Sequence, residues 1–181
     1  MVLETERLIL RPFETGDAAD LYAYARDPRV GPAAGWQPHE SVEESREIIR
    51  TVFSEPGVFA VTLRGEGRAV GSAGFTGRHR KETVGEDDEI GYSLSPAYWG
   101  QGLIPEAVEE LLRYGFEERG LNTIWCEHYD GNQKSKRVIR KCGFRFRFLR
   151  MQRLPAFGNE ERLVLVYAMT RREWEKARGH I

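Results

Sequence analysis

Glu89-Ile90-Gly91-Tyr92-Ser93-Leu94-Ser95-Pro96-Ala97-Tyr98-Trp99-Gly100-Gln101-Gly102-Leu103-Ile104-Pro105-Glu106-Ala107 is the stretch that decides the fold. Glu89 to Leu94 reads as a strand and Pro96 stops it. The turn Gly100-Gln101-Gly102 then opens a helix. Pro105 suits the first position of that helix, where a missing N–H costs nothing. Val108, Leu111, Leu112 and Phe116 carry its apolar face inward, and the helix ends near Gly120. A strand entering a helix through such a turn points several backbone N–H groups at one spot, at the positive end of the helix dipole. Gly100 and Gly102 remove side chains that would block a phosphate there. An isolated G-x-G also reads as a turn that simply needs flexible residues. Two phosphate motifs are excluded. Pro105 stands where the dinucleotide fingerprint needs its third glycine, and Leu103-Ile104 replaces the Lys-Ser/Thr of a P-loop.

Upstream, Arg7-Leu8-Ile9-Leu10-Arg11 alternates as a half-buried strand should. Thr15 or Asp17 caps a helix in which Leu21, Tyr22 and Ala25 share a face, and Asp27-Pro28 ends it. A loop rich in Pro and Gly follows through Gly31, Pro32, Gly35, Trp36 and Pro38. Ser41 and Glu44 form a capping box before Ile48, Ile49, Val52 and Phe53. Val58–Leu63 and Ala69–Phe75 are strands joined at Gly65-Glu66-Gly67, so Glu89–Leu94 completes a meander. Downstream, Thr123–Cys126 is β-rich, Asn132 caps a helix bearing Val138 and Ile139, and Gly143 closes it. Phe144–Leu149 and Arg162–Met169 form a final hairpin. The order β-α-α-β-β-β-α-β-α-β-β gives a mixed α/β fold around one sheet, with a single domain over residues 1–181.

Composition narrows the partners. Of 181 residues, 27 are basic and 28 acidic, and the net charge of −1 gives no overall pull toward nucleic acid or anionic membrane. No run approaches the roughly 20 apolar residues of a membrane span. The charged opening lacks a signal peptide's apolar core. Two cysteines and four scattered histidines imply neither a disulfide framework nor a metal site, and the expected compartment is the cytoplasm.

Trp99-Gly100-Gln101-Gly102-Leu103-Ile104 resembles the [QR]-x-x-G-x-[GA] motif of the GNAT superfamily of acetyl-CoA-dependent N-acetyltransferases. Trp99 and Ile104 depart from its pattern. The following Glu106-Ala107 resembles the branch that acetylates the N-terminal amines of ribosomal proteins. So do the opening Glu4-Thr5-Glu6-Arg7-Leu8-Ile9-Leu10-Arg11-Pro12 and the pair Asn132-Gln133-Lys134-Ser135 and Lys141-Cys142-Gly143-Phe144. The resemblance implies a mostly antiparallel, strongly twisted sheet flanked by helices.

It also implies a coenzyme site. The amides of Gly100, Gln101, Gly102, Leu103 and Ile104 would hold the pyrophosphate, with one donor lost to Pro105. The pantetheine arm would pair along Ser93 and Leu94, where two strands splay. An N–H near Leu94 would receive the acetyl oxygen. Asn132 is a helix cap on its own reading, and in relatives also bonds the coenzyme arm. Many relatives carry a general-acid tyrosine at the position of Ile139, so Ser135 is the first candidate to protonate the departing thiolate; Tyr129 is the second, and reads equally as a surface loop residue. Arg137, within Lys134, Lys136, Arg137, Arg140 and Lys141, faces the coenzyme phosphates on one reading; on the other, these residues are a solvated face.

Glu89 is the leading candidate base and His79 the second, though either reads equally as a surface residue. Glu86, Asp87, Asp88 and Glu89 read together as an acidic rim attracting a cationic amine. Trp36 belongs either to the acceptor pocket or to a small core. The expected reaction is direct attack of a primary amine on acetyl-CoA, without a cysteine acyl-enzyme. The expected acceptor is a protein N-terminus; the alternatives are a small amine such as an antibiotic or polyamine, or a non-catalytic acyl-CoA-binding module. Family members often dimerise, and the two last strands offer a surface for it.

Overall fold

Apolar residues at every second position make Leu8–Arg11 a strand whose leucines enter the core, and the same logic builds a sheet from most of the chain. The computed structural model describes residues 1–81 and 83–179. Its strands are β1 (Leu3–Glu4), β2 (Leu8–Arg11), β3 (Val58–Leu63), β4 (Ala69–Phe75), β5 (Asp87–Leu94), β6 (Thr123–Tyr129), β7 (Arg145–Leu154) and β8 (Glu160–Thr170). Its helices are α1 (Ala18–Ala25), α2 (Gly31–Ala34), α3 (Val42–Thr51), α4 (Leu103–Arg113), α5 (Gln133–Lys141) and α6 (Arg171–Ala177). The strands form one eight-stranded sheet in the order β1-β2-β3-β4-β5-β6-β8-β7. Every neighbouring pair is antiparallel except β5 and β6.

β5 and β6 are parallel because α4 crosses between them, and their pairing is brief. It covers Asp87 with Thr123, Asp88 with Ile124 and Glu89 with Trp125, and then the strands part. The main core lies under α4, whose Leu103, Ala107, Val108, Leu111 and Leu112 are buried against the sheet. A second cluster joins Leu21, Tyr24 and Ala25 of α1 to Ile49 of α3. Trp99 packs against both.

Several local expectations change. Gly102 is the N-cap of α4 at φ 78°, so Pro105 is its third residue rather than its first. The first-turn N–H groups have no partner inside the helix, so proline is equally harmless there. Ser41 does cap α3, accepting the Glu44 N–H at 3.0 Å, but the Glu44 carboxylate bonds the Glu40 N–H at 2.6 Å and no box closes. A closed box occurs at Thr170 and Glu173, at the start of α6. The segment expected as a Pro/Gly loop contains α2. After Arg113 the helix widens into a π-helical turn, Tyr114–Glu118, which places Phe116 in the core.

The acidic rim is also revised. Asp87, Asp88 and Glu89 lie inside β5 and are buried, because that strand runs between β4 and β6. Asp87 accepts from the Arg80 N–H (2.9 Å), Thr83 and the Trp125 indole, while Asp88 pairs with Arg119 at 2.9 Å. These charges are spent internally. Among the described residues no helix is long and apolar enough to cross a membrane, and no group of three His, Cys, Asp or Glu could hold a metal ion.

Phe116 is fully buried, with its ring 5.3 Å from that of Trp174. Phe116→Ala is expected to cost about 3–5 kcal/mol in urea unfolding, whereas Val84→Ala, at a fully exposed position, should shift the curve by less than about 0.5 kcal/mol.

Candidate functional site

The parting of β5 from β6 opens a cleft of about 1240 Å³. Successive residues of an antiparallel strand aim their backbone groups at alternate neighbours. The Ser95 N–H bonds Val70 O, and Glu89 O accepts from the Thr76 N–H, so the odd-numbered residues of β5 address β4. Ile90, Tyr92 and Leu94 therefore turn their backbone groups toward the gap that β6 has left. The Leu94 carbonyl is met there by the Trp99 indole N–H at 2.9 Å. This gives Trp99 a local role at the motif position where the sequence departs from the family pattern. Ser93 and Leu94 both line the cleft, and Ser93 Oγ lies 2.8 Å from Ser72 Oγ.

The glycine turn forms one end. Gly100 and Gly102 have φ values of 79° and 78°, a region that side-chain-bearing residues avoid. Among the described residues, no hydrogen bond engages the N–H groups of Gly100, Gln101, Gly102, Leu103 or Ile104. The turn is braced from behind by the chain's opening segment. Arg7 donates to the Gln101 carbonyl at 3.0 Å and to Glu106 at 2.7 Å, and Thr5 Oγ1 bonds the other Glu106 oxygen. Glu106 is held below the usual carboxylate range by Thr5 and Arg7, which outweigh its burial. Gly100, Gly102, Leu103 and Ile104 line the cleft, while Gln101 lies outside its lining.

Helix α5 forms the facing wall. Asn132 caps it, accepting the Ser135 N–H at 3.1 Å, and ties it to α2 by donating to Ala33 O at 3.1 Å. Ser135 therefore sits in the first turn, and its Oγ lies 2.7 Å from the Tyr92 hydroxyl. Burial holds Tyr92 well above the usual phenol range, so it stays protonated and can donate to Ser135. The basic cluster divides: Lys134, Arg137 and Lys141 line the cleft, and Lys136 and Arg140 do not. Lys134 also stacks over Trp99, with Nζ 4.4 Å from the ring. Ile139 is buried in the core.

Glu89 lies at the far end, where the strand pairing stops. It is only 3% exposed, yet lines the cleft. Burial raises its carboxyl above the ordinary range, the Glu127 charge adds to this, and Arg78 and Arg80 oppose it. His79 is not brought there. It stands outside the lining, bound to Asp87 at 3.1 Å, because the turn carrying it folds back along the start of β5. Trp36 and Tyr129 both line the cleft; Trp36 also packs on the α1–α3 cluster, so its two readings coexist. Burial pushes the thiols of Cys126 and Cys142 up, leaving them poor nucleophiles.

The family model of the acetyltransferase (GNAT) domain matches residues 7–145. The chain belongs to the GNAT family. YoaA, an uncharacterized N-acetyltransferase of Bacillus subtilis, is 30% identical over 79% of this chain and 82% of its own length. YdaF of the same organism, named as a ribosomal N-acetyltransferase, is 33% identical over 56% of this chain and 55% of its own. A GNAT-family acetyltransferase from Bacillus anthracis superimposes with a TM-score of 0.84 at 29% identity, covering 96% of this chain and all of the other. GNAT enzymes use acetyl-CoA, and the cleft fits it: unengaged amides and cationic side chains at the turn, and an open strand edge beside them.

Tyr92 and Glu127 escaped the sequence analysis. Tyr92 lies two residues before Leu94 on the same side of a strand, which was the available signal. Glu127 follows the residue at which the β-rich stretch was ended.

Asp87 sits below the usual carboxylate range, because its bonds to Arg80, Thr83, His79 and Trp125 outweigh the cost of burial. A depressed group stabilises the fold above its unfolded value of about 3.9, and that stability is lost as pH falls through the folded value. Asp87→Asn should therefore lower the urea midpoint clearly at pH 7 and least at pH 3.

Proposed function

We propose that the chain transfers the acetyl group of acetyl-CoA to a primary amine, a protein N-terminal α-amine, by direct attack with both substrates bound in one domain. The observation that carries this reading is the continuous cleft running from the amide-rich turn, along the free edge of β5, to the buried Glu89. Acetyl-CoA supplies the acyl group as a thioester. The turn amides, with Arg137 and Lys141, hold its phosphates. The pantetheine arm runs along the β5 edge at Ser93 and Leu94, pairing with the backbone that the even-numbered residues turn to the gap, and the Leu94 N–H receives the carbonyl oxygen, on which negative charge grows during attack.

Glu89 takes the proton that the amine must shed. An α-amine of pKa about 8 needs far less help than a lysine of about 10.4. The amine nitrogen bonds to the carbonyl carbon, the C–S bond breaks, and its electron pair leaves on sulfur. Ser135, receiving a hydrogen bond from Tyr92, turns its own proton toward that sulfur. A thiol of pKa about 8.5 leaves readily, so a modest contribution suffices. Trp36 borders the acceptor side. The likeness to YdaF favours a protein N-terminus as acceptor, and the two unpaired cysteines suit a reducing cytoplasm.

Thiol release from acetyl-CoA, followed with a panel of N-terminal peptides and small amines, should rise with a peptide. Turnover confined to small amines would replace the acceptor, and tight coenzyme binding without turnover would indicate a non-catalytic module. Ser135→Ala should lower kcat roughly tenfold, a loss of about 1.4 kcal/mol, with KM for acetyl-CoA within about twofold. An unchanged kcat would remove Ser135 from the reaction.

A further inference from the structure

Glu89 does not stand alone at its end of the cleft. Glu127, two residues beyond the last β5–β6 pair on β6, also lines it. The two carboxylates share their cations. Nη2 of Arg80 bonds Oε2 of Glu89 and, at 2.7 Å, Oε2 of Glu127. Nη1 of Arg78 lies 3.2 Å from Glu89 and 3.6 Å from Glu127. Arg150 of β7 bonds only the second of them, reaching Glu127 Oε1 at 2.6 Å, and also bonds Gln152 at 2.9 Å. Arg80 is held in place by the rings of Trp125 and Phe148, at 5.1 and 5.9 Å. From that position a single Nη2 serves both carboxylates.

We propose that Glu127 is a positioning residue for the reaction: it divides Arg80 and Arg78 with Glu89 and sets its own charge beside it, so that Glu89 can take a proton near neutral pH. The inference rests on Glu89 being the base. Without Glu127, both arginines would serve Glu89 alone and hold it ionised, making it a weak proton acceptor. The charged groups facing Glu89 are Arg78 and Arg80 from the segment before β5 and Glu127 from β6, with Arg150 of β7 bound to Glu127; the Cys126 thiol of β6 lies on the opposite face of the sheet, in the main core. Burial and the Glu127 charge raise the proton affinity of Glu89, and the two arginines lower it. Arg150 anchors Glu127 through Oε1 without bonding Glu89, which keeps the anionic neighbour in place.

The test is the acidic limb of the pH–kcat profile, measured with acetyl-CoA and the best peptide acceptor both saturating. Glu127→Gln should move that limb to lower pH by about one unit. Arg78→Gln, at a largely exposed position that the fold tolerates, should move it to higher pH. Damage to packing would lower kcat without moving the limbs in opposite directions. An unmoved limb in Glu127→Gln, or shifts of the same sign in both variants, overturns the proposal. Glu89→Gln separates the two readings. If it keeps full turnover, the base assignment falls and this inference with it. If it loses turnover while Glu127→Gln leaves the limb unmoved, this inference falls alone.

Discussion

The molecule turns on the point where β5 and β6 stop bonding each other. Three residue pairs hold them in parallel, and beyond Glu89 and Trp125 the backbone of β5 has no strand on that side. Exposed strand edges are a liability that proteins normally cover. Here the edge lies inside the fold, flanked by α5 and the glycine turn. Its cost is offset by what it creates, a row of backbone donors and acceptors beside a helix N-terminus. Pairing with β4 fixes which groups face the gap, since alternate residues of β5 address opposite neighbours, and the parting from β6 decides only how many of them are left free.

Everything that fixes the turn acts on this gap. The Arg7 guanidinium takes the Gln101 carbonyl from behind, and Glu106 holds Arg7 in that position. Trp99 reaches back to the Leu94 carbonyl, linking the turn to the end of β5. The opening segment is therefore part of the site's support, though it stands some 90 residues before the turn in sequence. Asn132 plays the matching part for α5, capping the helix with its oxygen and binding α2 with its nitrogen.

Much of this was legible because local rules agree with the fold. The meander, the glycine turn, the Asn132 cap and the final hairpin each carry a short-range signature. The failures lie where distant residues decide. Asp87, Asp88 and Glu89 read as a solvated acidic run, since no local pattern announces that Arg80, Arg119 and Trp125 will meet them. His79 has a suitable side chain but is carried away from the cleft by the path of its loop. Ser135 could be found from its helix position. Its partner Tyr92 carried only the hint of sharing a strand side with Leu94, and the bond between the two spans 43 residues. Glu127 was hidden by a strand boundary set three residues short, at Cys126 instead of Tyr129.

The two cysteines, both buried and free, bear on how the protein is handled at the bench. With Cys126 1% and Cys142 8% exposed, a colorimetric thiol reagent meets little protein thiol on the native surface, so the signal from a working enzyme belongs chiefly to released coenzyme. The same reagent becomes a clock for opening of the core, read at Cys126, which lies almost fully buried in the sheet, while Cys142 ends α5 beside a surface pocket. A single reagent thus reports chemistry on the folded protein and integrity on the unfolding one.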